Sequence, residues 1–400
     1  MDALTSKMNK LHILMHSTFQ LTGGIIYGFA IYSLIERGYS SFEAGLCFAF
    51  VNLINLVLTP IISNYLDNND EHSVFDIILF LVFIVTILMG INYFLDEKCL
   101  LLTLVFIIGG GCFELTDPII NSISSKLKTY KIDVSYSFAR AVGSASYGLV
   151  CFIFGFISSE LSYSAVILGG IAFSMLYFVV SLLARNRFNS VKDNYVKENK
   201  NTDDKINIKD FCKNNVLYIV TCVFIIMIFI GYSSIDHFML LVCENVGGSS
   251  KDMGYLLGFK ALMEVIPIFA FPYILKRFKL KDILIISAIA FICKSLLFYL
   301  ATNVFTLYLA QVFQAFSFAF MTPGMVVYVN NYLKRREVIR GVSFYSLSIG
   351  IGGTISSLVG GFISDSFGIS AMNLFALGIT IVGAIGYICA ILYRNKHINA

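Results

Sequence analysis

The sequence predicts an all-α integral membrane protein: twelve transmembrane helices in two pseudo-symmetric six-helix bundles. Three observations predict it. Of 400 residues, 57% are hydrophobic and only 14% are charged, against about 25% charged in a soluble domain. Twelve apolar runs, each long enough to span a bilayer, follow one another along the chain. A polar stretch divides them six and six, and a short motif recurs in the second half at the place it holds in the first. A mean hydropathy of +0.79 excludes a soluble enzyme, a nucleic-acid binder, a disordered chain and a secreted disulfide scaffold.

Each span takes roughly 20 residues. In the first half the runs lie at 11–34, 43–66, 75–95, 99–122, 136–158 and 162–184. In the second half they lie at 215–243, 254–275, 282–300, 304–328, 342–363 and 371–393. Lys7 and Lys10 precede the first run as in a signal peptide, but no small-residue cleavage site follows, so it is read as a span. Backbone groups in lipid need internal hydrogen bonds and no run alternates like a barrel strand, so all twelve are expected as helices. The stretch from Arg185 to Lys213 mixes charges with few apolar residues and reads as a solvated linker with room for a short surface helix. The expected organisation is therefore a bundle over 1–184, a linker over 185–214 and a bundle over 215–400. GFISSELSYSA at 155–165 and GFISDSFGISA at 361–371 match at six of eleven positions, 206 residues apart, which points to duplication.

Basic residues set the orientation. One side collects 23 of the 29, including Lys126, Lys128, eight in the linker and the group Lys334, Arg335, Arg336 and Arg340. The other side holds only Arg37, Lys98 and Lys251. By the positive-inside rule both termini are expected in the cytoplasm and the protein in the cell membrane. The net charge of +4 is too small to imply nucleic acid. The nine cysteines form no CxxC or CxxxC pair, and most sit in apolar runs as small hydrophobes, so neither a disulfide nor a metal is expected.

A charge at the bilayer centre costs about 2.5–3.5 kcal/mol on insertion scales, so charges within spans mark function or pairing. They are Glu114, Asp117, Arg140, Asp236, Lys260, Glu264 and Lys294. Glu114 and Asp117 are three apart and share a face beside Pro118. Arg140 and Tyr147 share a face of a span rich in small residues, which let helices pack closely. A guanidinium fork and a hydroxylated ring suit a polyhydroxylated substrate. Alternatively, Arg140 pairs with Glu114 or Asp117 and only holds the first bundle together. Lys260 and Glu264, four apart, either neutralise each other or serve the site. A carboxylate in a narrow, partly dry cavity can bind and release a proton in each cycle, which makes Asp236 and Glu264 the candidates for proton coupling. His16 and His237 are either titrating groups or hydrogen-bonded packing residues.

These features resemble the major facilitator superfamily. Narrower motifs resemble its sugar (oligosaccharide):proton symporter branch, which includes lactose permease. GLCFAFVNLINLVLTPIISNYLD at 45–67 is similar to the branch's second span, with Pro60 and Asp67 in place, and SYSFARAVGSASYG at 135–148 to its fifth. Tyr232 and Asp236 match a Tyr-x-x-x-Asp pattern in span seven, and the spacing from Pro272 to Lys294 matches that from a proline to a functional arginine. The resemblance implies substrate contact by Lys294, cavity lining by Asp236 and a cytoplasmic gate at Asp67. Departures are equally definite. Asn and acidic residues follow Asp67 where the superfamily has basic ones, and the branch's essential histidine and glutamate fall on Gln314 and Ser317. Lactose itself is therefore not the expected substrate.

The expected function is secondary active transport of a small polar solute, a sugar or oligosaccharide first, by alternating access with H+ as coupling ion. A nucleoside symporter or a drug exporter of the same superfamily is the alternative. An intramembrane enzyme would need a nucleophile–base pair or a metal motif such as HExxH, and neither occurs, so no enzymatic activity and no cofactor are expected. A channel filter and a Walker motif are missing as well. The expected partners are a small-molecule substrate and the lipid bilayer, and the expected state is a monomer. Reporter fusions after Ser190 and after Gly248 are expected to report inside and outside respectively; the same answer from both rejects this topology.

Overall fold

The computed structural model describes residues 3–68, 74–128, 130–192, 208–334 and 337–398. Within them the bilayer's demand for internal hydrogen bonding is met by helices alone, and twelve are long and apolar enough to cross a membrane. They are Thr5–Ile35, Ser41–Leu66, Val74–Tyr93, Leu100–Lys128, Tyr136–Glu160 and Tyr163–Ser190, then Val216–His237, Ser250–Arg277, Leu280–Tyr299, Val304–Tyr332, Val338–Phe367 and Ile369–Arg394. All twelve expected spans are present, but several run longer than their apolar stretch. Span four continues to Lys128 rather than ending near 122, and the helix of span six reaches Lys192 rather than 184. Helical hydrogen bonding does not stop where hydropathy does.

The chain divides into two compact units: Met1–Ser40 with Cys47–Lys200, and Ser41–Leu46 with Asn201–Ala400. Each has the same internal pairing. In the first, span one packs along spans five and six, and span three against four and six. In the second, span seven packs along eleven and twelve, and span nine against ten and twelve. The helices that start within the repeated motif begin at Tyr163 and Ile369, 206 residues apart. Close backbone approach explains two glycines. A methyl group at Gly143 of span five would stand 3.1 Å from the His16 carbonyl oxygen of span one. One at Gly383 of span twelve would stand 2.9 Å from the Phe224 carbonyl oxygen and the Ile228 nitrogen of span seven.

Four spans are interrupted, the first and fourth of each unit. Span one breaks between Ala3–Ile26 and Ala30–Ile35, and span four between Leu100–Glu114 and Thr116–Lys128. Span seven ends at His237 and a short helix, Met239–Glu244, follows. Span ten runs Val304–Val312, tightens into a 3₁₀ turn over Phe313–Ala315 and resumes as Phe318–Tyr332. A proline alone does not break a span, because Pro60, Pro267, Pro272 and Pro323 lie inside unbroken helices. Pro118 occupies the first turn of the restarted helix in span four, where no helical N–H is missed.

Two polar segments are less solvated than their composition implies. A helix at Ile208–Asn214 ends the linker, and its Phe211 is fully buried, stacked on Phe344 at 5.2 Å. Arg37, beyond span one, is 4% exposed. It donates to the Asn92 side-chain oxygen at 2.5 Å and to the Asn92 carbonyl at 3.2 Å, and lies 4.7 Å from the centre of the Tyr163 ring. Burial pulls this guanidinium below its ordinary range, and the Tyr163 hydroxyl opposes that. One of the three basic residues on the sparse side therefore clasps the ends of spans three and six. Arg37→Met should remove two hydrogen bonds from buried Asn92 and cost about 1–3 kcal/mol. A fall in the thermal midpoint of the purified protein, with Arg37→Lys recovering less than half of it, is the expected result.

Candidate functional site

In the first unit the site residues gather where span four breaks. Glu114 is the last residue of the upper segment and Asp117 sits in the first turn of the lower one. A helix N-terminus favours a carboxylate there. The helix restart thus explains how both acids stand side by side. Glu114 accepts a 2.6 Å hydrogen bond from the Asn55 amide of span two, and Thr59 in turn donates to Asn55 at 2.5 Å. Tyr27, at the break in span one, lies beside the same carboxylate. Asp117 rather than Glu114 is the partner of Arg140, at 3.7 Å, with both side chains a little under half exposed. That separation is an ion pair without a hydrogen bond, so the guanidinium keeps donors in hand. Tyr147, one helical face with Arg140, packs its ring 3.6 Å from where a Gly24 methyl would stand.

The second unit concentrates its charge more tightly. Lys260 donates to both carboxylate oxygens of Asp236, at 2.7 and 2.8 Å. Of the two readings left open for Lys260 and Glu264, the geometry shows the ammonium reaching across the bundle to the carboxylate of span seven, while its charge also acts on Glu264 on its own helix. Glu264 instead accepts a 2.6 Å bond from the Gln314 amide. The same amide nitrogen donates to the Tyr232 hydroxyl at 3.0 Å, and the amide oxygen accepts from Lys294. Lys294 is 4% exposed and sits 4.8 Å from the centre of the Tyr232 ring and 5.8 Å from that of Phe298, so two aromatic faces offset part of the cost of its burial. Tyr232 itself is wedged between Phe291 and Phe318.

The structure thus brings Asp236, Glu264 and Lys294 into one network within the second unit, and Glu114, Asp117 and Arg140 around the broken span four of the first, while Tyr147 stands beside Gly24 of span one. Gln314 and Asn55 are the residues that sequence reading did not select as site residues. Gln314 had a signal: the resemblance drawn from the sequence set it at the place of that branch's essential histidine. Asn55 had none, because a lone amide in an apolar run has no distinguishing pattern. Asp67 ends the helix of span two, and its side chain lies outside the described residues. One residue earlier, the Leu66 carbonyl accepts from Lys126 at 2.6 Å, so a lysine from span four serves the end of span two. His237 is held by Ser357 at 2.8 Å, a packing role. His16 packs edge-on against His12 at 4.8 Å, and neither ring has a hydrogen-bond partner among the described residues. No three His, Cys, Asp or Glu side chains group to hold a metal ion among the described residues.

These features define a major facilitator protein, a multi-pass membrane protein with twelve spans. The chain belongs to the MFS_1 like family, whose pattern matches residues 9–376. Multidrug resistance protein 2 of Bacillus subtilis (strain 168) is 28% identical over 178 residues, which is 44% of this chain and 44% of that relative. The chain therefore matches less than half the length of that relative. Among solved structures, the nucleoside transporter NupG superposes with a TM-score of 0.77 at 15% identity, over 97% of this chain and 99% of that one. A bacterial homolog of the human lysosomal transporter Spinster, in an inward-facing and unoccupied conformation, gives 0.74 at 14% identity, over 99% and 98%. At such identities these likenesses concern the fold.

The Lys260–Asp236 pair has a direct test. Asp236→Asn leaves a buried ammonium facing a neutral amide, and breaking a buried pair costs about 3–5 kcal/mol. The single variant should lose folded protein on size exclusion after heating, and Asp236→Asn with Lys260→Met should recover most of it. Equal stability of the single variant and the wild type would show that the pair does not hold the fold.

Proposed function

We propose that this protein is a secondary active transporter that moves a small polar solute across the cytoplasmic membrane by alternating access, driven by protons. A sugar or oligosaccharide is the leading substrate class. The observation that carries the reading is the network of Asp236, Lys260, Glu264, Gln314 and Lys294 inside an apolar bundle. Replacing buried ion pairs by packed apolar side chains is often neutral or stabilising, so the fold has no need of four charges there. Charges kept inside a span serve a solute or ion path.

The roles follow from the chemistry. Within the first unit Arg140 offers a fork of donors to substrate hydroxyls and Tyr147 a ring for an apolar sugar face, with Glu114 and Asp117 as acceptors; Lys294 is the substrate-contact candidate of the second unit. Asp236 and Glu264 are the candidates for the coupling acid, Asp67 belongs to a gate on the cytoplasmic side, and the excess of basic residues on one side supports termini in the cytoplasm. Within this reading H+ is the only co-substrate, and the transporter works as a monomer. The 28% identity with Multidrug resistance protein 2 supports a second reading, export of a lipophilic solute. Charges in both units favour the polar solute.

Uptake into proteoliposomes, with labelled sugars, nucleosides and a lipophilic dye, separates these readings. A sugar should accumulate with a pH gradient and only equilibrate without one. Glu264→Gln, or Asp236→Asn assayed on the fraction that stays folded, should abolish accumulation and keep exchange, and Arg140→Lys should weaken substrate affinity about tenfold, roughly 1.4 kcal/mol. Accumulation by both acid variants would reject proton coupling through these acids. Movement of the dye alone would favour the second reading.

A further inference from the structure

Gln314 occupies a position with an unusual constraint. It is fully buried, on the 3₁₀ turn of span ten, and its two amide ends face groups of opposite need. An ammonium has only donors, so Lys294 requires the amide oxygen. An ionised carboxylate has only acceptors, so Glu264 requires the amide nitrogen. The observed contacts obey both demands, with Gln314 oxygen on Lys294 and nitrogen on Glu264. Tyr232 accepts from the same nitrogen at 3.0 Å, and its hydroxyl can donate or accept, so it tolerates either orientation of the amide. Among the described residues Gln314 is the one hydrogen-bond acceptor of Lys294.

We propose that Gln314 is an amide relay: protonation of Glu264 turns its amide, withdraws the oxygen from Lys294 and frees that ammonium to bind the substrate. The proposal rests on reading Glu264 as the coupling acid. Once Glu264 gains a proton, the charge-assisted bond from the Gln314 nitrogen is lost. The new O–H needs an acceptor in a dry site, and the Gln314 oxygen is the neighbouring one. Amide and acid then pair through O–H to amide oxygen and N–H to acid carbonyl, and Lys294 keeps only its aromatic neighbours. It becomes a donor for a substrate hydroxyl, carbonyl or anionic group. Loss of the proton reverses each step, so the ammonium is offered only when the proton is bound. Asp236 fits this role less well because Lys260 holds both of its oxygens.

The groups that face Glu264 all enter the balance. They are Lys260 on its own helix, Asp236 and Tyr232 from span seven, Lys294 from span nine and Gln314 from span ten. His237 stands beside Asp236 and is held by Ser357. Two cations, two acids and one neutral amide leave the cluster neutral when Glu264 is ionised and singly positive when it is not. The extra positive charge is what an acceptor on the substrate would compensate.

The chain contains three glutamines, Gln20, Gln311 and Gln314, so selective isotope labelling of glutamine side chains reports three amides. The full-length protein in lipid nanodiscs, labelled with 15N and 13C at the side-chain amide, is titrated with acid, without any substrate. The Gln314 nitrogen and carbon signals should shift together through one transition, while Gln311, one turn earlier on the same span, stays fixed. Glu264→Gln, which imitates the protonated acid and adds a fourth labelled amide, assigned by its absence from the wild type, should hold Gln314 near its low-pH position at every pH. A Gln314 signal that does not move in the wild type overturns the relay even where transport is proton-coupled. A Gln314 transition that survives in Glu264→Gln overturns it as well. The wild-type titration needs no variant to fold. A transition at Gln314 that Glu264→Gln abolishes, in a protein whose uptake ignores the pH gradient, supports the relay and rejects the coupling reading on its own.

Discussion

A hydrocarbon surrounding offers no hydrogen bonds, and that constraint governs the rest of this molecule. A polar group the chain takes into a span gains by finding a partner in the chain, and the charged ones do. The backbone meets the demand by forming helices. The side chains meet it by pairing: Lys260 with Asp236, Lys294 with Gln314, Glu114 with Asn55 and Arg140 with Asp117. Arg185 and Asp76 pair in the same way at the ends of spans six and three. Few charges lie inside the spans, so each pairing identifies something the apolar bundle does not require for its own packing.

The interrupted helices are the complement of this rule. Spans one, four, seven and ten break, and the polar residues of interest stand at or beside the breaks: Tyr27, Glu114 with Asp117, Asp236, and Gln314. A break in the middle of a span frees backbone groups and is tolerated only where protein or a polar cavity receives them. In membrane carriers, interrupted segments at corresponding places in two repeats mark a midplane site. Here they occur at the first and fourth helices of both units, which agrees with duplication and with the shared packing of spans one, five and six and of seven, eleven and twelve.

Much of this was legible in the residues. Apolar length gave the twelve spans, since lipid imposes one dominant requirement and hydropathy measures it. The cost of a buried charge drew attention to seven residues, and each of them lies in one of the two clusters. Partner choice was not legible. Spacing of four along a helix allowed Lys260 to neutralise Glu264, and the carboxylate that a neighbouring helix brings to Lys260 left no trace in sequence distance. The breaks were only partly legible: Pro118 stood beside the acids of span four as a helix-loosening residue, but Pro60, Pro267 and Pro272 interrupt nothing and no signal marked the other breaks. A neutral amide such as Gln314 carries no insertion penalty large enough to stand out, although it joins two charges.

The 3₁₀ turn at Phe313–Ala315 has a geometric consequence. Three residues at three per turn advance a full circle, whereas at 3.6 per turn they advance about 300°, so the turn shifts the helical phase by about 60°. The stripe of residues that faces a given neighbour above Phe313 is not continued by the same spacing below Ala315. No single helical wheel describes span ten, and the faces of Val304–Val312 and Phe318–Tyr332 must be assigned separately.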